Sequence, residues 1–198
     1  KSFDRAIQLK PDYPDGYNNR GNALVLLGQL DEAFTSYDKA IQLKPDYAKP
    51  YNNRGYILNL LGQLDEALKS FDKAIQLKPD YAEAYRSLSS LRKYNPEDAH
   101  IGVMENLLMD SALSEPDRMH LYFALGKAYE DVGQYDQCFD CLEKGNTLRS
   151  KQLGYTMDKD RILFANVKEL FSAKSMALDA PRDSDTSIQP CFIIGMPR

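Results

Sequence analysis

The chain has 198 residues, 43% of them hydrophobic and 27% charged, and a net charge of −4. Its acids and bases are interspersed, which excludes the concentrated basic stripe of a nucleic-acid binder, and no apolar run approaches the roughly 20 residues that a membrane-spanning helix requires. With no secretory leader in view and only three cysteines, the expectation is a cytoplasmic, helix-rich protein whose partners include no nucleic acid, membrane or metal.

Residues 1–13 read as the second helix of a truncated repeat, because the string FDRAIQLKPDY (Phe3–Tyr13) returns twice almost unchanged. It closes YNNRGNALVLLGQLDEAFTSYDKAIQLKPDY (Tyr17–Tyr47) and YNNRGYILNLLGQLDEALKSFDKAIQLKPDY (Tyr51–Tyr81), which start 34 positions apart. The pattern is already under way at Lys1, so the natural N-terminus is expected upstream. The two full units are 14–47 and 48–81. In the first, Tyr17, Gly21 and Leu24 share one helical face, and Ala33, Tyr37 and Ala40 share another. Gly21, Ala33 and Ala40 are small enough for two helices to approach, with Tyr17, Leu24 and Tyr37 filling the gaps. Gly28 is expected to end the first helix, Asp31 to cap the second and Pro45 to stop it. The second unit repeats this with Tyr51, Gly55, Leu58, Ala67, Phe71, Ala74 and Pro79. One such hairpin cannot bury both faces alone, so neighbours must stack.

Residues 82–118 start as a third unit, with Ala82, Glu83 and Tyr85, and then diverge. Ser89 stands where glycine stood, and Asn95-Pro96-Glu97-Asp98 predicts a helix capped by Asn95 and running to about Ala112. Its buried side is expected to carry Ile101, Met104, Leu107 and Leu108. Ser114-Glu115-Pro116-Asp117 opens another helix. The pattern then returns over 119–152, with Tyr122, Gly126 and Tyr129 on one helix and Leu142 and Gly145 on the next. Cys138 takes the small-residue place of Ala33 and Ala67, so the Cys138–Cys141 pair reads as packing rather than metal or redox chemistry. His100 and His120 are isolated and read as structural or solvated. A helix within 153–173 is expected to cap the stack. Residues 174–190 form a polar, Pro-containing linker, and Cys191-Phe192-Ile193-Ile194 reads as one β-strand opening a truncated α/β domain over 191–198.

The period, the small/large alternation and the Gly-Gln-Leu-Asp turn resemble the tetratricopeptide repeat (TPR). The resemblance implies an all-α fold: a right-handed α-solenoid of antiparallel helix pairs over 1–152. It also implies that a stripe on the first helices grips a protein or peptide. That stripe holds Asn18, Asn22 and Val25, then Asn52, Tyr56 and Asn59. Arg86, Ser90 and Lys93 follow, then Phe123 and Lys127. The candidate groove residues are Asn18, Asn22, Asn52, Tyr56, Asn59, Arg86, Lys93 and Lys127. Asparagine amides suit an extended backbone, and the three cations suit acidic side chains or a carboxylate. A plain solvated helix surface is the other reading of these positions. Arg20 and Arg54 are expected to lie along the surface and pair with nearby acids.

The order of repeats, linker and Gly195-Met196-Pro197-Arg198 turn resembles bacterial TPR proteins fused to a sulfotransferase domain of the tyrosylprotein sulfotransferase kind. By that resemblance Gly195 and Arg198 touch the 5′-phosphosulfate of 3′-phosphoadenosine-5′-phosphosulfate (PAPS), and the fragment is the non-catalytic recognition arm of a larger PAPS-dependent enzyme. No catalytic residue is expected within these 198 residues. The alternative is a pure scaffold with no catalytic domain.

Overall fold

The computed structural model describes residues 2–154 and 157–170. Ten helices run through them: α1 Ser2–Leu9, α2 Pro14–Leu26, α3 Leu30–Leu43, α4 Ala48–Leu60, α5 Leu64–Leu77, α6 Ala82–Ser89, α7 Ala99–Leu108, α8 Glu115–Asp131, α9 Tyr135–Leu153 and α10 Met157–Leu170. No strand occurs among the described residues. The expected strand at Cys191–Ile194 lies outside them, as do Gly195 and Arg198. The chain divides into two compact units, 1–153 with α1–α9 and 154–198 with α10.

In the first unit, consecutive helices fold back on each other as α2/α3, α4/α5 and α8/α9, and α3 and α5 pass each stack to α4 and α6. The reason lies in residue size. A Cβ added to Gly21 would sit 2.4 Å from the Tyr37 ring, and one on Gly55 would sit 2.7 Å from Phe71. Each large ring thus lies directly on the opposing backbone. Gly28, Gly62 and Gly133 take φ of +73°, +74° and +77° in the turns, a left-handed conformation that glycine adopts without steric cost. The caps differ from expectation. Gln29 precedes α3, and Asp31 lies inside its first turn with no capping bond, where it still favours the helix dipole.

The hairpins α2/α3 and α4/α5 are each tied to the preceding helix by an arginine. Arg20 donates from Nε to Asp4 on α1 at 2.8 Å and from Nη1 to Ser36 on α3 at 2.7 Å. One period later Arg54 reaches Asp38 on α3 and Ser70 on α5, both at 3.1 Å.

The middle unit departs from the rule, and one residue accounts for it. The place of Gly28 and Gly62 is taken by Pro96, whose ring fixes a negative φ and forbids the left-handed turn. The hydroxyls of Ser89 and Ser90 also turn back onto the carbonyls of Arg86 and Ser87, offering the backbone an alternative to continued helix. As a result α6 takes α8, not α7, as its main neighbour on that side. The segment that follows is pinned by buried Tyr94, whose N–H donates to Asp131 at 3.2 Å. The helix expected from Asn95 to Ala112 is shorter. Asn95 instead accepts from the Glu97 N–H, Asp98 caps α7 by accepting from the His100 N–H, and α7 ends at Leu108. Met104 is fully buried, while Ile101, Leu107 and Leu108 are half-buried. Ser114 caps α8 through the Asp117 N–H.

Candidate peptide groove

Two cavities flank α6, which serves as the wall between them. On one side, a cavity of about 330 Å³ is lined by Asn22, Val25 and Leu26 of α2, Tyr37 of α3, Asn52, Asn53 and Tyr56 of α4, and Glu83 and Ser87 of α6. On the other, a cavity of about 270 Å³ is lined by Arg86 and Ser89 of α6 and Ser90 just after it, Phe123, Gly126, Lys127 and Glu130 of α8, and Cys138 and Leu142 of α9. Glu83 and Ser87 are one turn apart and face the first cavity. Arg86 and Ser90, likewise one turn apart, face the second.

The first cavity is dominated by amides. Asn53 donates from Nδ2 to Oδ1 of both Asn18 and Asn22, at 3.0 Å each, and the Tyr37 hydroxyl donates to Asn22 at 2.8 Å. Burial pushes Tyr37 up to about 12, so it stays a donor. Asn52 is 3% exposed, and its buried Oδ1 has no hydrogen-bond partner among the described residues. The cause is visible by comparing periods. Asn53 supplies the donor to Asn18, and the residue one period after Asn53 is Ser87, whose side chain lacks the amide. Tyr56 stands at the mouth, 47% exposed, beside Val25 and Leu26.

The expected stripe is therefore only partly a surface. Asn18, at 4% exposure, is consumed by the bond from Asn53 and lines neither cavity. Asn52 lies at the floor of the first cavity rather than on an open face, because the following hairpin covers its position. Asn22, Tyr56, Arg86 and Lys127 line the cavities, whereas Asn59 and Lys93 line neither. Lys127 is already neutralised by Asp131 and by Glu130 at 3.3 Å. Arg86 has no carboxylate within ion-pair distance among the described residues. Its guanidinium carbon lies 4.3 Å from the centre of the Phe123 ring. Burial lowers its pKa, and the like charge of Arg149 adds to that. Sequence reasoning passed over Arg149, although it continues the Leu142–Gly145 face of α9 at helical spacing.

Cys138 and Cys141 are free thiols, and burial raises both. Among the described residues no group of three or more His, Cys, Asp or Glu is placed to hold a metal, and no helix is long and apolar enough to cross a membrane.

Comparison with known proteins agrees with the hairpin geometry. Profiles described as tetratricopeptide repeat match residues 2–35, 48–81 and 120–152, and one described as TPR repeat matches 21–62. An uncharacterized protein of Aquifex aeolicus (strain VF5) is 30% identical over 108 residues, which is 54% of this chain but only 14% of that relative. Among solved structures, a crystal structure of MamA superposes with a TM-score of 0.54 at 21% identity, over 77% of this chain and 88% of that one. The MamA RS-1 ArsTM double mutant gives 0.51 at 20% identity, over 76% and 83%. Fold, repeat period and matched profiles, which together span more than half of its length, place this chain in the tetratricopeptide-repeat family.

Proposed function

We propose that residues 2–153 form a peptide-binding module whose ligand lies in extended form across α2, α4 and α6. One observation carries this reading: the buried Asn52 carbonyl oxygen that no group among the described residues satisfies. An unmet acceptor of this kind costs about 1–3 kcal/mol, and turning the Asn52 amide toward the cavity, where a backbone N–H of the ligand can donate to it, removes that cost. Tyr56, Val25 and Leu26 supply apolar area beside it, as an extended chain with alternating side chains requires.

The test is selection of a displayed nonapeptide library on the 198-residue chain, followed by calorimetric titration of the enriched peptides. Asn52→Ala is expected to weaken them about ten-fold, the size of one lost buried hydrogen bond. Ser87→Asn restores the donor that Asn53 gives Asn18, so it is expected to raise stability while lowering peptide affinity. Unchanged affinity in both variants would place the ligand elsewhere.

The narrower reading is that this module is the recognition arm of a PAPS-dependent sulfotransferase, with Gly195 and Arg198 at the phosphosulfate. Its support is the sequence resemblance of Cys191–Arg198, residues outside those described. The full-length protein is then expected to bind adenosine 3′,5′-bisphosphate. Absence of that binding leaves the pure scaffold as the function.

A further inference from the structure

We infer that the second cavity, on the far side of α6, is a receptor for an aromatic ring, supplied by a Phe, Tyr or Trp side chain of the bound peptide. The source of the ring rests on the groove reading above; the ring site itself does not.

The first two hairpins show what fills this place. Tyr37 stands sixteen residues after Gly21, and Phe71 sixteen after Gly55. Each ring lies on its glycine and is almost fully enclosed, at 2% and 1% exposure. The second cavity borders two positions of the same kind: Ser89, one period after Gly55, and Gly126 of the last repeat. Neither receives a ring. Sixteen residues after Ser89 is Glu105, which α7 carries away to accept the Tyr129 hydroxyl. Sixteen after Gly126 is Leu142, 38% exposed, with only the end of its side chain near the glycine. Phe123 does not make up the difference, because its ring is committed to Gly145, 3.2 Å from where a Cβ would stand there. One leucine thus serves where two rings would lie, and a space of about 270 Å³ is left open. Dry apolar cavities of about 150 Å³ hold a benzene ring, so a phenyl or phenol group fits.

The walls favour an aromatic group over a polar one. The hydroxyls of Ser89 and Ser90 are spent on carbonyls of their own turn, and Lys127 is held by Glu130 and Asp131. What remains for a ligand is the Phe123 ring, the Leu142 methyls and the Cys138 thiol, all of which suit a ring. The Arg86 guanidinium, 4.3 Å from the centre of Phe123, adds a flat cation for a second ring to meet. Because α6 is the common wall, an extended chain that crosses it can reach both cavities.

The test titrates the 198-residue chain and a Leu142→Phe variant with toluene and p-cresol, the free side chains of Phe and Tyr. The readout is the methyl NMR shift of Leu142 in the native chain and of enclosed Leu58 as reference in both, with affinities by calorimetry. Saturable shifts at Leu142 and none at Leu58 are expected. Leu142→Phe sets the chain's own ring over Gly126, so the variant is expected to melt higher and to bind both probes at least about ten-fold more weakly, the scale of one buried ring. In the nonapeptide selection, the native chain should enrich an aromatic residue at one register position. Changing that residue to Ala should weaken binding about ten-fold on the native chain and less than about two-fold on the variant, a coupling that a double-mutant cycle isolates. Probes that do not saturate, or that bind both chains alike, overturn the ring site and leave the groove standing. A variant that melts lower overturns the equivalence of Leu142 with Tyr37 and the inference with it. Probe binding together with enriched peptides that lack an aromatic residue overturns the peptide as the source of the ring. Absence of any enrichment on the native chain overturns the groove, while the probe titration still decides the ring site.

Discussion

At the scale of single residues, the close approaches in the hairpins should have graded consequences. A methyl at Gly21 must displace the Tyr37 ring, which is fully enclosed, so Gly21→Ala is expected to destabilise by about 2 kcal/mol through overpacking. At Gly126 the neighbour is the end of Leu142, 3.1 Å away and 38% exposed. It can swing aside, so Gly126→Ala should lose well under half as much. Urea midpoints followed by circular dichroism rank the two, and equal losses would show that ring-on-glycine packing is not what limits the fold. The faces were legible in the sequence, since spacing puts Gly21 and Tyr37 on the packing sides of their two helices; that the ring lands on the glycine was not. The depth of Asn18 and Asn52 was not. Helical spacing gives an angle around one axis, whereas burial depends on what the next hairpin covers. His100 supplies a second prediction. Its Nδ1 lies 3.3 Å from Arg92 Nη1, and only the neutral ring can accept there. Burial, and then Arg92, lower its pKa against the opposing pull of Asp98 and Asp72. A group whose folded pKa is depressed contributes stability above its unfolded value, about 6.5, and that is lost as pH falls toward the folded value. His100→Gln keeps an acceptor without the titration. Its midpoint should therefore fall less than the native one between pH 7 and 5, and parallel curves would refute the assignment.

At the scale of elements, backbone angle decides what size does not. Gly62 and Gly102 both have open space where a Cβ would go. Gly62 sits in the turn between α4 and α5 at φ +74°, while Gly102 lies inside α7. Gly62→Ala is expected to cost about 1 kcal/mol from the left-handed strain, and Gly102→Ala to gain up to about 1 kcal/mol from reduced freedom in the unfolded chain. Denaturation of the two variants should shift in opposite directions. A shift of the same sign would mean that the turn, and not its glycine, sets the hairpin. The same angle explains what the sequence reading missed in the middle of the chain. Asn-Pro-Glu-Asp was a sound helix-start signal, and a helix does follow. A proline in the glycine place, however, removes the turn, so α6 is released from α7 and packs on α8. The second cavity, between α6 and α8–α9, is a product of that exchange. It could not be seen by treating 82–118 as a weaker copy of its predecessors.

At the scale of the whole array, near-identical contacts recur along the chain, and this predicts that it tolerates another period. Consider a second copy of residues 48–81 placed between Tyr81 and Ala82. Its Arg54 equivalent would meet Asp72, which stands where Asp38 stands for Arg54. Its Asn53 equivalent would meet the Asn52 oxygen that is now unsatisfied, reproducing the 3.0 Å bond from Asn53 to Asn18. Its second helix would present to α6 the same sequence that α5 presents now. The copy would not add a second bond like Tyr37–Asn22, at 2.8 Å in the first unit, because Phe71 has no hydroxyl and Tyr56 takes the place of Asn22, and at about 1 kcal/mol this is small beside the interface gained. In repeat arrays, stability is approximately a sum of unit and neighbour terms. The lengthened chain is therefore expected to fold, to gain the helical signal of two more helices and to melt higher than the parent. It should still bind peptides, one period further along, because the original Asn52 acceptor is then met within the fold while the copied Asn52 faces Ser87 unmet, with Asn59 and Leu60 of the original α4 at the places of Val25 and Leu26. A lengthened chain that aggregates or melts lower would mean that the divergent middle unit needs something of α5 beyond its sequence, and that the array is cooperative over more than nearest neighbours.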